Sequence, residues 1–427
     1  MIDLKRLRQD PDGSRASLLR RGDPTLGPLL DGLLALDRQR RELLVQVERL
    51  KAERNAASEE VARRKRAGQP ADDLLERLKS SGDEVKALDA QLREIDTALE
   101  QRALTLPNFP SELIPDGDAT ANRVVRSWGE PPHFDFQPRP HWELGATLGI
   151  LDLPVGAKLT GSGFPLLRGE GARLVRALAG FMLDLHTREH GYVEVAPPYL
   201  VNRATLTGTG HLPKFEEDLY SASADDLFLI PTAEVPVTGI HRDDILDAAD
   251  LPLAYVAYTP CFRREAGAHG KDTRGLIRVH QFDKVELVRF SRPEESPAEH
   301  ELLTRHAETV LQQLEIPYRV VELASGDTGF SSARTFDLEV WAAGVGTWLE
   351  ASSSSTFTDF QARRANIRYR PEPKAKPEFV HTLNASGVAF PRTIVALLEN
   401  NQAADGSVRV PEALAPYLGV ERLGPRG

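Results

Sequence analysis

Two apolar seams in the first hundred residues constrain the fold of this 427-residue chain more than any other feature. Both seams advance by alternating steps of three and four residues, apart from gaps at Arg40, Arg54 and Ser81, and this spacing lets helices wind around one another. The break Ala67-Gly68-Gln69-Pro70 separates them, and proline cannot continue a helix interior. The sequence therefore predicts two long helices that fold back antiparallel as a coiled-coil arm. The seams consist of Leu33, Leu36, Leu43, Val47, Leu50, Ala57 and Val61, and of Leu74, Leu78, Val85, Leu88, Leu92, Ile95 and Leu99.

Charge differs between the two predicted helices. Residues 1–66 carry 16 basic and 11 acidic side chains, whereas residues 71–104 carry 5 and 9. The first helix ends in Arg63-Arg64-Lys65-Arg66, at the predicted tip, where a phosphate backbone can be met. A run of charge is usually only a solvated face. Two interpretations of the arm therefore stay open at this point: a dimerisation coiled coil and an arm that binds nucleic acid.

Composition narrows the class of protein. The chain is 41% hydrophobic and 27% charged, which is ordinary for a soluble globular enzyme. It has no apolar run long enough to span a membrane and no apolar signal core at its start. Its single cysteine, Cys261, excludes an intramolecular disulfide framework and a multi-cysteine zinc site. We therefore expect a cytoplasmic protein without a membrane partner. The net charge of −10 excludes attraction of nucleic acid over the whole surface but not at a local basic stripe.

The remainder of the chain divides into a proline-rich linker, residues 105–140, and a mixed region, residues 141–427, after the arm at 1–104. Periodicity predicts helices at 172–190, 297–314 and 392–401. It predicts strands at 226–230, 253–262, 277–290, 317–323 and 335–342. Successive strands with segregated helices favour an α+β fold with an antiparallel sheet. No G-x-G-x-x-G follows the first strand and no G-x-x-x-x-G-K-[ST] occurs in the sequence, so neither common nucleotide-binding motif of parallel sheets applies.

The most informative stretch runs from Cys261 to Glu286. Arg263 and Glu265 are two residues apart, so they share one face of a strand. On the return strand, Phe282 alternates onto the same face as Lys284 and Glu286. An arginine fork suits a phosphate, an aromatic face suits a base, and a carboxylate suits an amino group. The alternative is a hairpin with an exposed, salt-bridged face.

Five segments carry a resemblance to a known family. Phe262-Arg263-Arg264-Glu265 and Val279-His280-Gln281-Phe282-Asp283-Lys284-Val285-Glu286 resemble motif 2 (about 254–290) of the class II aminoacyl-tRNA synthetases, in the version found in seryl-tRNA synthetases. The segment from Gly191 to Pro198 resembles motif 1 (about 178–200), and Pro231-Thr232-Ala233-Glu234 resembles the serine-site segment. Asn384 to Thr393 resembles motif 3 (about 384–402). The resemblance implies an α+β fold: an antiparallel-sheet class II catalytic domain preceded by an N-terminal antiparallel coiled-coil arm.

The resemblance also implies an ATP site. Arg263 and Arg392 would be the catalytic residues, with Arg263 bridging the α-phosphate and the serine carboxylate. Glu350 and Ser353 would hold Mg²⁺ through hard oxygen ligands. The full ATP set implied is Arg263, Arg264, Glu265, Val279, Phe282, Glu350, Ala351, Ser352, Ser353 and Arg392.

For the other substrates, the resemblance implies a serine–tRNA ligase that forms seryl-adenylate from L-serine and ATP. The seryl group would pass to the 3′ end of tRNA-Ser, and of tRNA-Sec as well, and Arg63, Arg64, Lys65 and Arg66 would contact tRNA. Motif 1 would form a homodimer interface. The serine set implied is Thr232, Ala233, Glu234, Arg263, Glu286 and Ser386.

Two segments depart from the family pattern. Ala385 stands where glycine is common in motif 3, and we expect its methyl group to crowd the serine pocket slightly. The run from Glu350 to Thr356, which we expect to follow a strand ending at Leu349, lacks the family's cysteine and asparagine.

Three other functions fit the sequence less well than an active synthetase does. A catalytically dead RNA-binding paralogue would have lost Arg263, Glu286 or Arg392, and all three are present. A ligase that loads a carrier protein resembles the core without the long arm and binds zinc through cysteine, which fits this chain poorly. A bare coiled-coil scaffold would not explain the order of the motifs.

Overall fold

The computed structural model describes residues 1–266 and 274–424, so residues 267–273 of the predicted motif 2 loop lie outside the described residues. The chain forms two compact units. One consists of residues 2–19 and 23–107, and the other of residue 1, residues 20–22 and the chain from residue 108 onward.

The first unit is helical. Its helices are α1 (Leu4–Gln9), α2 (Pro11–Leu19), α3 (Leu26–Arg66) and α4 (Asp72–Thr105). Ion pairs join Arg40 to Asp96, and Lys51 to Asp89 at 3.2 Å, so residue numbers fall along α4 as they rise along α3. The two long helices are therefore antiparallel, and the predicted coiled-coil arm is confirmed. Seam positions buried in it are Leu33, Val47, Leu50, Val61, Leu74, Val85, Ile95 and Leu99.

The second unit is built on a large sheet. Its helices are α5 (His141–Thr147), α6 (Leu153–Thr160), α7 (Glu170–Arg188), α8 (Arg203–Thr209), α9 (Glu234–Thr238), α10 (Ser296–Gln313), α11 (Phe360–Ala365), α12 (Phe390–Asn400) and α13 (Ala415–Leu418). Its strands are β1 (Arg123–Trp128), β2 (Leu151–Asp152), β3 (Leu166–Leu167), β4 (Val193–Glu194), β5 (Leu200–Asn202), β6 (Ser221–Ala222), β7 (Leu227–Leu229), β8 (Ile245–Asp247), β9 (Leu253–Phe262), β10 (Gln281–Ser291), β11 (Tyr318–Glu322), β12 (Arg334–Ala342), β13 (Thr347–Thr358), β14 (Arg368–Arg370), β15 (Glu378–Phe379), β16 (His381–Ala389), β17 (Val408–Arg409) and β18 (Arg422–Leu423).

Eight of these strands form one sheet in the order β1-β11-β12-β13-β16-β10-β9-β4. All neighbours in it are antiparallel except β4 and β9. Helices α7, α10 and α12 contribute Leu178, Leu303 and Ile394 to the core cluster that covers the sheet. The α+β prediction is therefore confirmed.

Strand boundaries show where sequence patterns succeed and fail. Strand β9 has the predicted bounds, 253–262, whereas β10 begins at Gln281 instead of residue 277. The serine run does not follow a strand that ends at Leu349, because β13 continues to Thr358. Pairing of β13 with both β12 and β16 overrides the weak strand preference of serine. The segment predicted as a linker also contains a strand, β1.

Among the described residues, no helix combines the length and the apolar character that a membrane crossing requires.

A buried histidine makes stability depend on pH. His300 on α10 is 1% exposed, and its Nε2 lies 3.0 Å from the Ser354 carbonyl oxygen, which can only accept. Burial lowers the pKa of His300 to about 4. In the unfolded chain this imidazole binds a proton as the pH falls below about 6.5, whereas in the folded chain it stays neutral until about pH 4. The free energy of unfolding therefore falls as the pH drops from 6.5 towards 4.

We expect His300→Gln, which can still donate to Ser354, to remove this contribution. Between pH 7.5 and pH 5 the wild type should lose about 2 kcal/mol more free energy of unfolding than the variant. Urea unfolding at both pH values measures this difference. Parallel pH profiles for the two proteins would contradict the prediction.

Candidate active site

Motif 2, β13 and α12 meet around one cavity. Its wall contains seven of the ten residues expected to bind ATP: Arg263, Glu265, Val279, Phe282, Glu350, Ala351 and Arg392. The antiparallel pairing of β9 with β10 places the two halves of motif 2 side by side. Chain segments separated by more than a hundred residues thus converge where the sequence predicts nucleotide binding.

Arg263 directly follows β9, which ends at Phe262. The centre of its guanidinium is 5.2 Å from the centre of the Phe282 ring. Its Nε donates to the Pro231 carbonyl oxygen at 3.3 Å, and its backbone N–H donates to the His280 carbonyl at 2.9 Å. These contacts hold a cation beside an aromatic face, an arrangement suited to a phosphate next to a base.

Arg392 enters the same cavity from the first turn of α12, where Pro391 suits the start of a helix. Its Nε donates to the Ile277 carbonyl oxygen at 3.2 Å, and its Nη1 donates to the Glu350 carbonyl oxygen at 2.5 Å. The Glu350 carboxylate lies 3.6 Å from Nη1. Arg392 therefore ties motif 3 to motif 2 and to β13.

Glu265, one of the residues that the resemblance implies for ATP binding, forms an ion pair with Arg278. Arg278 also lines the cavity, and sequence reasoning gave it no role. The only signal that could have found it is its charge, two residues before the predicted motif 2 histidine. Because arginine and carboxylate fix one another, Glu265 has a defined orientation before any nucleotide binds.

A second cavity adjoins the first and shares with it Arg263, Lys284, Glu350 and Ser386. It is also lined by Thr232, Glu234, Glu286 and Ser353, so most of the predicted serine set comes together here.

Polar contacts in the second cavity centre on two glutamates, the buried Glu286 and the partly buried Glu234. The Thr232 hydroxyl donates to Glu286 Oε2 at 3.0 Å, and Gln361 Nε2 donates to Glu234 Oε1 at 2.7 Å. Burial raises the pKa of both carboxyls, and the nearby Lys284 ammonium opposes that rise. The cavity therefore offers carboxylate acceptors to an ammonium group or a hydroxyl.

Lys284 is the functional residue that sequence reasoning came closest to finding. It is 5% exposed, forms an ion pair with Glu286, and lies in the wall common to both cavities. The alternation of β10 already placed it on the face of Phe282 and Glu286, but no role followed.

His211, also missed, lines the second cavity. The Thr209 hydroxyl lies 3.2 Å from the Leu206 carbonyl, to which it donates, and 2.9 Å from His211 Nδ1. The contact with Thr209 holds the His211 ring in place at the wall of the cavity. Burial lowers the pKa of His211 to about 3, so the ring is neutral near pH 7.

Three residues of the predicted ATP and serine sets line neither cavity. The Arg264 backbone N–H donates to the Asp218 carbonyl, Ala233 is packed in a core cluster, and the Ser352 hydroxyl donates to the Ser386 carbonyl at 2.5 Å.

The expectation that Ala385 crowds the serine pocket is wrong. Its methyl group is fully buried in the hydrophobic core, because neighbouring side chains of a strand point to opposite faces. Its neighbours Asn384 and Ser386 line the cavity instead.

The basic tip of the arm is partly paired. Arg63 contacts Glu60 at 2.7 Å, and Arg64 contacts both Glu60 and Asp73 at 3.2 Å. Lys65 is exposed. Such exposed pairs are weak, so a phosphate can compete for these arginines.

Comparisons with known proteins assign both the arm and the sheet domain to known families. Residues 214–401 match the family model of the tRNA synthetase class II core domain (G, H, P, S and T). The second unit is therefore the catalytic core of a class II aminoacyl-tRNA synthetase. Residues 1–110 match the model of the seryl-tRNA synthetase N-terminal domain.

Individual relatives agree over the full length. The serine–tRNA ligase of Gemmatimonas aurantiaca is 57% identical over 98% of this chain and 99% of its own. That of Pelobacter propionicus is 56% identical over 99% of this chain and 100% of its own. The chain therefore belongs to the seryl-tRNA synthetase family. Its reaction is the activation of L-serine with ATP and the transfer of the seryl group to tRNA-Ser.

Solved structures support the same assignment. The seryl-tRNA synthetase of Pyrococcus horikoshii, determined in complex with ATP, superposes with a TM-score of 0.96 at 39% identity and covers all of both chains. The cytoplasmic serine–tRNA ligase of Naegleria fowleri, in complex with AMP, gives 0.90 at 27% identity, covering 100% of this chain and 99% of its own.

Proposed function

We propose that the two cavities divide the substrates of the activation step, with ATP in the first and serine in the second. The observation that carries this proposal is their shared wall, which contains Arg263 and Lys284. A serine carboxylate and an α-phosphate that approach this wall from opposite sides would meet between two cations. Such placement neutralises the two anions that must come together.

In the proposed reaction a serine carboxylate oxygen attacks the α-phosphorus and pyrophosphate leaves. Arg263 neutralises the charge at phosphorus, Phe282 stacks on adenine, and Arg392 holds the departing phosphates. Glu286 and Thr232 bind the serine ammonium, and Ser386 faces the same cavity. A hydroxyl at the 3′ end of tRNA then attacks the seryl carbonyl carbon and AMP leaves.

Mg²⁺ is the proposed metal. Glu350 and Ser353 present a carboxylate and a hydroxyl to one cavity, and Mg²⁺ is commonly held by few protein oxygens together with substrate phosphates. No group of three or more His, Cys, Asp or Glu side chains within residues 1–266 and 274–424 is arranged to hold a metal unaided. The residues therefore fit an ion that arrives with ATP and offsets phosphate charge. Exchange activity that survives chelation of Mg²⁺ would contradict this.

Three broader proposals follow from family membership. We propose that the chain acts as a homodimer through motif 1, where Val193, Tyr199 and Leu200 are exposed apolar side chains. A mass of 47.1 kDa in sedimentation equilibrium, which is that of one chain, would contradict the dimer.

We also propose that the protein works in the cytoplasm, where tRNA is charged. We further propose that it charges tRNA-Sec, and an aminoacylation assay with that tRNA tests this proposal.

Amino-acid-dependent ATP–pyrophosphate exchange, run without tRNA across the twenty amino acids, tests the proposed site. We expect exchange with serine alone. Exchange with another amino acid would overturn the serine assignment of the second cavity. Exchange with none would overturn the assignment of both cavities.

A further inference from the structure

A fully buried His–Glu pair lies behind the ATP cavity. Neither His141, at the start of α5, nor Glu399, in the last turn of α12, is exposed to solvent. The backbone N–H and Nδ1 of His141 lie 2.8 and 2.7 Å from Glu399 Oε1. The other oxygen, Oε2, accepts from the backbone N–H groups of Gly344 and Val345 at 2.8 and 3.0 Å. Four N–H groups thus converge on one carboxylate.

The second ring nitrogen of His141 fixes the tautomer. The Leu276 backbone N–H, which can only donate, lies 2.9 Å from His141 Nε2. Nε2 therefore carries the lone pair and Nδ1 carries the proton. One neutral imidazole thus joins Glu399 to the return segment of motif 2.

Gly275 allows the close contact between the Leu276 backbone and the His141 ring. Its φ is +65°, and a Cβ built on it would lie 2.1 Å from His141 Nε2. Only glycine allows the backbone to approach the ring so closely.

Helix α12 contacts two segments at both of its ends: the return segment of motif 2, and β13 with the turn that leads into it. Arg392 and Glu399 are seven residues apart and therefore share one face of the helix. At the first end, Arg392 binds the carbonyls of Ile277 and Glu350. At the second end, Glu399 reaches residue 276 through His141, and it binds directly the turn that leads into β13, the strand of Glu350.

We propose that His141 is a positioning residue for ATP: it fixes the backbone of residues 276–279 so that Arg392 and Val279 face the nucleotide. The proposal rests on the ATP site proposed above. His141 does not line either cavity. It acts by giving the Leu276 N–H an acceptor, without which a buried donor would be left unpaired.

Two substitutions test separately the two hydrogen bonds that the His141 ring makes with Glu399 and Leu276. His141→Asn retains a donor near Nδ1 for Glu399 but has nothing at the position of Nε2. His141→Gln places an amide oxygen near Nε2, where it can accept from Leu276. In serine-dependent ATP–pyrophosphate exchange, we expect H141N to raise the KM for ATP about tenfold, the equivalent of one lost buried hydrogen bond. The KM for serine should stay within about twofold, and H141Q should restore most of the ATP affinity.

A glycine pair provides an independent test. Gly275→Ala drives a methyl group into His141, whereas Gly68→Ala has nearly the same backbone angle, φ +67°, with nothing within 4 Å of the new methyl. Both variants carry the strain of a left-handed alanine, but only G275A displaces the ring. We expect G275A to raise the KM for ATP and G68A to leave it unchanged.

The outcomes are distinct. Equal effects of H141N and H141Q, or a loss of kcat with unchanged KM for ATP, would reduce His141 to a structural residue and overturn the proposal. If H141N does not fold, the G275A and G68A pair decides alone. Absence of serine-dependent exchange in the wild type would instead overturn the proposed function.

Discussion

Replacing residues 41–95 with a short Gly-Ser turn is expected to abolish tRNA charging and to leave serine-dependent ATP–pyrophosphate exchange intact. The deletion removes most of α3 and α4, including the basic run from Arg63 to Arg66. None of the residues that line the two cavities belongs to this segment. The cut is practicable because Arg40 and Asp96 form an ion pair across the two helices, so the new ends are neighbours.

The expected loss in kcat/KM for tRNA is at least about a thousandfold, the usual scale that separates specific from non-specific nucleic-acid binding. Exchange should stay within about threefold of the wild type, because activation uses only the second unit. Aminoacylation of tRNA-Ser and exchange, measured on one preparation, check both statements. Equal loss of both activities would show that the arm also supports activation.

A smaller change addresses the tip itself. Lys65→Glu reverses an exposed charge at the end of α3, and Lys86→Glu reverses an exposed charge on α4. If the tip contacts phosphate, only K65E should raise the KM for tRNA and reduce its salt dependence. Identical behaviour of the two variants would move the tRNA contact elsewhere on the arm.

Periodic parts of the fold could be predicted from sequence, since each is encoded locally. The arm follows from a heptad pattern with one break, and β9 follows from ten residues of strand character. The serine-rich part of β13 beyond Leu349 and the whole of β16 were not predicted, because the serine and asparagine within them are stabilised by pairing on both sides. That pairing depends on chain segments far away in sequence.

The same distinction applies to the site. Arg263, Phe282 and Glu286 were predictable because they alternate within one hairpin. His141 was not, because its partners Leu276 and Glu399 are 135 and 258 residues away and no local pattern links them. The sequence therefore predicts most of the cavity residues that belong to the family motifs, but not the residues, such as His141, that hold these segments in place through contacts distant in sequence.

Glu286→Gln is expected to raise the KM for serine about a hundredfold and to change the KM for ATP less than about threefold, since a lost charged hydrogen bond costs roughly 2–3 kcal/mol. The amide can still accept from Thr232, but it offers no negative charge to the serine ammonium. It also leaves Lys284 buried without its counter-ion, which lowers stability. Exchange kinetics with each substrate varied in turn measure the two KM values.

Two further variants separate the loss of stability from the loss of binding. Glu308→Gln removes a buried carboxylate that contacts Arg126 at 2.8 Å, away from both cavities, and should leave the KM for serine unchanged. Lys284→Met combined with Glu286→Gln removes both buried charges, so it should unfold at a higher temperature than E286Q alone without recovering affinity for serine. Recovery of serine affinity in the double variant would mean that the ammonium is bound elsewhere, and Glu234 and Glu350 would then be the remaining carboxylates that line the cavity.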